Sequence, residues 1–319
     1  MVACLYGGSR LYFSWTRPNS DSETRVSVEI PKGASLSKIA HILEDKEIIR
    51  DAWSFEMYSR WNKLATAYQA GDYIFLRNLT FPEVADQLQN GKSEEIRVTI
   101  PEGSTIAQID EILARKNLIV AGEFTRCTTY CDLGFRISSL EGYLFPSTYF
   151  VNPNTFSSKN FVQRLYNTFQ SQLNPLRKDL QQSGRTLNEV VIVASMIERE
   201  AFGDSLDEKK KIANVIWKRY DEGIHLGIDA TTRYELNRWK GALYAEDFES
   251  DSPYNTRRKL GLPPTAISNP GIESIKAAVY PEDTEYYYYL HDSKGQIHFG
   301  RTLEEHNENK RLYIWGFPF

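Results

Sequence analysis

A stretch of 22 residues that returns seventy positions later sets the first constraint on the fold. Val28-Glu-Ile-Pro-Lys-Gly33 recurs as Val98-Thr-Ile-Pro-Glu-Gly103. The match runs on through Ile39/Ile109, Ile42/Ile112, Leu43/Leu113, Lys46/Lys116 and Ile49/Ile119, nine identities in 22 pairs. Each copy reads as a short strand, a Pro-x-Gly turn and a helix with apolar residues at i, i+3 and i+4. The helices start beside Ser35 and Thr105, whose hydroxyls suit an N-cap; in the first copy Lys38 stands where a capping box would place an acid. One copy buries little apolar surface alone, so the two are expected to pack with the segment between them. That segment carries the same signal, a strand at Gly71–Phe75 and a helix over Thr80–Leu88. Residues 25–120 are therefore expected to form one or two small α+β modules.

The remaining length, out of 319 residues, leaves room for a second and larger domain at roughly 100–200 residues each. A net charge of −4 argues against a protein built to coat phosphate backbones, so nucleic acid is not an expected partner. The longest dense apolar stretch, Val190 to Ile197, is far shorter than the roughly 18 residues a membrane-spanning helix needs. Residues 1–24 lack the basic and apolar regions of a signal peptide and read as an N-terminal remnant or juxtamembrane segment. Cysteine is limited to Cys4, Cys127 and Cys131, an odd set that excludes a disulfide framework and reads as buried or idle thiols. Cys127-x3-Cys131 lacks a second ligand pair for zinc, and His291, His298 and His306 fit no metal spacing. No Walker loop, dinucleotide-binding glycine motif or nucleophile elbow is present, so neither metal nor cofactor is expected.

Beyond residue 120 the signals are mixed α+β, with 121–185 reading as a mixed connector. Ser139–Phe150, aromatic-rich and holding Gly142 and Pro146, suits a bent strand, and Phe156–Leu180 has helical spacing. Thr186-Leu-Asn-Glu189 is a capping box that opens an almost wholly apolar helix ending near Ala201. An amphipathic helix follows from Leu206 to about Glu222, stopped at Gly223. Gly227–Thr232 and Ser252–Thr256 read as loops, Ile272–Tyr280 as a helix, and Tyr286–Gly300 as a hairpin turning at Asp292–Gly295.

The apolar helix ends in Glu198-Arg-Glu200. Glu200 extends the stripe of Val193 and Ile197, while Glu198 lines up with Val191 and Ala194. A carboxyl held at the end of an apolar stripe loses hydration in its charged form, which raises its pKa and suits a general acid. The plainer alternative is a helix that ends in solvent with both acids paired to nearby cations. Helical geometry alone does not choose between the two glutamates. Asp229, Thr231 and Asn255 sit on loops with the hydrogen-bonding side chains that carbohydrate sites use, and also the side chains that turns use.

These later segments resemble the YceG-like, or MltG, family of endolytic murein transglycosylases. The resemblance rests on Leu140-Glu-Gly-Tyr-Leu-Phe-Pro146 with Thr148-Tyr149, Ala194-Ser-Met-Ile-Glu-Arg-Glu200 and Ile228-Asp-Ala-Thr231. It continues through Pro253-Tyr-Asn-Thr256, Gly261-Leu-Pro-Pro264, Asn269-Pro-Gly271 and Glu305-His-Asn307. It implies LysM-like modules over 25–120 and a catalytic domain over 121–319. The implied reaction is a cofactor-free lyase cut of peptidoglycan between N-acetylmuramic acid and N-acetylglucosamine, leaving a 1,6-anhydro end. The family's catalytic glutamate, the second of its E-x-E, falls on Glu200. Glu198, Asp229, Thr231, Tyr254, Asn255 and Tyr143 would line the cleft. The resemblance further implies cell-wall synthases as partners and an N-terminal membrane anchor with the catalytic domain on the periplasmic or extracellular side. Ser147 departs from the aspartate that the family commonly carries there.

Overall fold

The computed structural model describes residues 15, 18–20, 24–90, 95–135, 137–153, 156–203 and 205–314, with Asp72 described by its backbone only. Cys4 and most of the 1–24 segment lie outside the described residues. The chain separates into two compact units, Met1–Ile96 with Phe150–Thr155 and Arg97–Tyr149 with Phe156–Phe319.

In the smaller unit the order is β1 (Arg25–Ile30), α1 (Leu36–Asp45), α2 (Ala52–Trp61), β2 (Gly71–Leu76) and α3 (Phe81–Asn90). β1 and β2 pair antiparallel, with Arg25 opposite Leu76 and Ile30 opposite Gly71. Strand periodicity turns Val28 and Ile30 inward and leaves Ser27 and Glu29 exposed. The inward residues meet Leu43 of α1, Phe55 of α2, Phe75 of β2 and Leu88 of α3 in one apolar core.

The repeat is structural down to its ends. Ser35 accepts the Lys38 amide at 3.3 Å, and Thr105 accepts the Gln108 amide at 3.1 Å while Gln108 returns a bond to the Thr105 amide. Each helix closes through a left-handed residue, Glu47 (φ 57°) or Asn117 (φ 56°). The next amide then reaches back to Leu43 or Leu113, at 2.9 and 3.1 Å. The copies nevertheless do not share a core, contrary to expectation. The cluster around Val28 runs only to Leu88, and the second copy from Val98 onward lies in the larger unit. One substitution shows why. Where the first copy has Ala40, the second has Asp110, whose buried carboxylate accepts the amides of Gly122 (2.7 Å) and Thr125 (3.0 Å). That ties the second helix to the chain that follows it. The boundary between the compact units falls at 96/97, ahead of the repeat's second copy.

Next come β3 (Ile96–Thr99), α4 (Ile106–Arg115), α5 (Glu123–Tyr130), β4 (Thr148–Val151), α6 (Ser158–Leu173), α7 (Arg177–Gln182) and α8 (Leu187–Glu200). After these the chain forms α9 (Leu206–Asp221), α10 (Asp229–Glu235), α11 (Ile272–Val279), β5 (Tyr288–His291), β6 (Ile297–Gly300) and α12 (Leu303–Tyr313). α8 is the axis of the larger unit: every residue from Val190 to Ile197 is buried, packed by α9, α10 and α11. The expected capping box opens it, with Thr186 and Glu189 bonded reciprocally. β5 and β6 form the expected hairpin, Tyr289 opposite Phe299.

Three expectations are corrected. Ser139–Phe150 is not one bent strand. Only its end pairs as β4, and residues 140–146 wrap around Asn269, whose Oδ1 accepts the amides of Gly142 (3.0 Å) and Leu144 (2.9 Å). The segment over Asp229–Glu235 is helix α10 and not loop; it starts at Ile228 without a side-chain cap, which removes the usual start signal. Cys127 and Cys131 are joined as a disulfide. Cys131 leaves α5 in an extended conformation, which draws the two Cα atoms to 4.7 Å, within bonding range. Among the described residues no helix is long and apolar enough to cross a membrane.

Candidate active site

α8 carries its apolar stripe to its last residue, Glu200, and there the core opens into a cleft of about 490 Å³. Three other parts of the larger unit form the walls: residues 226–229 leading into α10, the Tyr287–His291 strand, and α12 with Leu303, His306 and Lys310. Arg219 of α9 braces two of them. Its Nε donates to the Tyr287 carbonyl at 2.7 Å and its Nη1 to the Leu226 carbonyl at 2.9 Å, while Tyr288 lies 4.5 Å from the guanidinium.

The Glu200 carboxyl is half-buried and held at both oxygens. Tyr289 donates its hydroxyl to Oε2 at 3.1 Å, and the Ala230 amide approaches Oε1 at 3.4 Å. Burial pushes this carboxyl up to about 7; the neighbouring Asp229 charge pushes the same way, against the Tyr289 and Ala230 bonds and Arg257. Its place on the last turn of α8, at the negative end of the helix dipole, acts in the same upward sense. Asp229 is ion-paired with Arg257, whose guanidinium stacks 4.4 Å from Phe248. His306 stacks on Tyr288 at 5.1 Å, and burial with Lys310, Arg219 and Arg257 pushes it down to about 4. At neutral pH the imidazole is therefore neutral. One carboxyl poised near neutrality, in a polar cleft rimmed by aromatic rings, is chemically able to give and to take a proton at neutral pH.

Of the residues expected to form the site, Glu200 and Asp229 line this cleft and the others do not. Glu198 points to the other side of α8. Its Oε2 accepts the Gly271 amide (3.1 Å) and the Ser274 hydroxyl (2.6 Å), and it faces the buried Lys209 ammonium at 3.7 Å. Thr231 is wholly buried and donates to the Ile228 carbonyl at 2.7 Å. Asn255, also wholly buried, donates to the carbonyls of Phe248 and Ser250, both at 2.8 Å, and so shapes the loop around Arg257. Tyr143 packs edge-on against Phe169 and donates to Asn188 at 3.1 Å. The polar atoms of these four are engaged by neighbouring groups of the protein, backbone for Thr231 and Asn255, a side chain for Tyr143 and both kinds for Glu198. Tyr254 lies in a second hollow together with Glu141 and Tyr234. Ser147 is exposed, and its carbonyl accepts the Ile100 amide at 2.9 Å.

The residues that the sequence did not single out are Tyr289, Arg257, Arg219 and Glu141. The first three come together only through tertiary contacts. Glu141 stands inside the Leu140–Pro146 motif and is buried. It accepts the Ile106 amide (3.0 Å), the Asn269 amide nitrogen (3.1 Å) and the Tyr234 hydroxyl (3.3 Å), and burial pushes it up to about 8.

A carboxyl that ends a buried helix beside the C-terminal hairpin is the centre of this candidate site, and comparison with known proteins defines the class to which the chain belongs. The protein belongs to the YceG-like family, whose model matches residues 28–312. It is 31% identical to the endolytic murein transglycosylase of Bacillus subtilis, over 97% of this chain and 91% of that one. The endolytic murein transglycosylase of Streptococcus pneumoniae D39 is 25% identical over 93% of this chain, which spans 60% of the pneumococcal protein. The crystal structure of a yceG-like protein from Listeria monocytogenes superposes with a TM-score of 0.62 at 31% identity, covering 90% of this chain and 99% of that one.

Proposed function

We propose that this protein is an endolytic murein transglycosylase, cutting peptidoglycan glycan strands within the chain and leaving a 1,6-anhydro-muramyl end. The observation that carries the reading is the Glu200 carboxyl, pushed up to about 7 inside a polar cleft. A pKa near the operating pH keeps the acid form available at neutral pH, and the carboxylate left when the proton is given can then take one back. As acid, Glu200 gives its proton to the glycosidic oxygen as the C1–O bond breaks. As carboxylate, it takes the proton from the muramyl 6-hydroxyl as that oxygen bonds to C1. Atoms balance without water, and the attacking group is already part of the substrate, a large advantage in effective molarity. Asp229 lines the same cleft but has its charge offset by Arg257, and Glu200 is the proton-transfer group.

The smaller unit is the LysM-like part of this reading, and it supplies glycan binding. Its α2 helix exposes Trp53 and Trp61, at 61% and 77% of their surface, as platforms for sugar rings. Such an enzyme works where murein lies, outside the cytoplasm, on strands that cell-wall synthases make.

Mass analysis of the fragments released from purified glycan strands tests the reaction. A lyase yields anhydro ends, one water lighter than the reducing ends of a muramidase. Reducing ends alone would replace this proposal with a hydrolase.

A further inference from the structure

The hollow that holds Tyr254 shares no lining residue with the Glu200 cleft and takes no part in the chemistry above. Its volume is about 650 Å³. Threonine and serine hydroxyls, Asn237, two tyrosines and two glutamates line it; among the described lining residues none is lysine, arginine or histidine. Both tyrosine hydroxyls are engaged, Tyr234 with Glu141 at 3.3 Å and Tyr254 with Thr265 at 2.7 Å. Their rings, 5.1 Å apart and inclined by 51°, are the parts left for a ligand. Glu141 already accepts from three donors. Glu235 does not: Oε1 accepts the Ser250 hydroxyl at 2.6 Å, while Oε2 is buried and has no partner. A buried carboxylate oxygen without a donor is unfavourable until a ligand or solvent supplies one.

We propose that this hollow binds a primary ammonium group carried by a short peptide, with the Glu235 carboxylate as its counter-charge, the side chain turning to bring the now buried Oε2 to its N–H, and the Tyr234 and Tyr254 rings facing its charge. The inference rests on the reading of the chain as a murein enzyme, since murein peptides bear such amines. The spacing agrees. α10 runs from Asp229 in the catalytic cleft to Glu235 in the hollow, about 9 Å by helical rise. A peptide branch of about three extended residues covers that span. The hollow would thus read the peptide on a muramyl unit while the cleft holds its glycan strand.

The probe is a sugar-free murein tripeptide with a free side-chain amine, titrated into the full chain by calorimetry beside the same peptide acetylated on that amine. Acetylation is expected to weaken binding about tenfold, the scale of one charge-assisted hydrogen bond. Glu235→Gln, which keeps the acceptor for Ser250, should weaken the free-amine peptide to a similar degree and leave cleavage of peptide-free glycan unchanged. Equal affinity for the two peptides, or no binding of either, overturns the proposal. The ligand comparison needs no variant, so it stands even if Glu235→Gln folds poorly. Peptide bound without glycan cleavage would strike the catalytic reading alone; cleavage intact without amine-dependent binding would strike this site alone.

Discussion

The hydroxyl of Tyr289 donates to Glu200 Oε2 at 3.1 Å, linking the first strand of the C-terminal hairpin to the last residue of the central buried helix. This bond favours the carboxylate, whereas burial favours the acid, and the balance leaves Glu200 at about 7. Tyr289→Phe removes the favourable contribution to the charged form and also loosens the carboxyl's orientation. The basic limb of the kcat/KM profile, where the acid form is lost, should move to higher pH, and kcat should fall about tenfold. A pH–rate profile of glycan cleavage reads both. Movement of that limb to lower pH would mean that the tyrosine does not stabilise the carboxylate.

Glu141 is expected to make stability pH-dependent. The folded chain holds its proton up to about 8, while the unfolded chain releases it near the ordinary 4.5. Between those values the native state binds more protons, so stability is greatest at the acidic end and falls as pH rises. Glu200 acts in the same direction between 4.5 and about 7. Glu141→Gln should therefore flatten the loss of stability from pH 5 to pH 8, by at most about 4 kcal/mol. Denaturant melts of both chains at the two pH values test this; parallel declines would contradict it.

Glu198 is expected to matter for stability and little for chemistry. Glu198→Gln keeps acceptors for Gly271 and Ser274 but leaves Lys209, 3% exposed at its side chain, without its counter-charge. The loss should be about 3 kcal/mol, while the folded fraction cuts glycan at close to the parent rate. Lys209→Met in the same chain should restore much of that stability, a coupling that a double-mutant cycle measures.

What could be read from sequence follows the range of the forces involved. The caps at Ser35, Thr105 and Thr186 act over three residues, so their motifs announce the helices they start. α10 carries no such signal because Ile228 gives it no side-chain cap, and the partnership of the repeat's second copy turns on the single buried carboxylate of Asp110. Glu200 was visible as a charge closing an apolar stripe. Its separation from Glu198 was not, because that depends on Lys209 and Ser274 on one side and on Tyr289 and Asp229 on the other. Thr231 and Asn255 have side chains common to both sugar sites and turns, and only their burial shows which use they serve here.

Gly142 explains part of the Leu140–Pro146 motif. Its φ of 93° is in the left-handed region, and a Cβ there would come within 2.5 Å of both Ala266 Cβ and Val191 Cγ1. Val191 belongs to α8, so the clash reaches the helix that carries Glu200. Gly142→Ala should cost about 3 kcal/mol or more, from strain and overpacking together, with the urea midpoint as the measure. An unchanged midpoint would show that the turn relaxes freely.

The central claim is that Glu200 moves the proton. Glu200→Gln keeps the shape and an acceptor for Tyr289 but neither gives nor recovers a proton, so the direct measurement is its rate of release of anhydro-ended fragments from purified glycan strands. The account predicts a loss of at least about 10²- to 10⁴-fold with a melting temperature no lower than that of the parent chain. Cleavage by Glu200→Gln at close to the parent rate would contradict it.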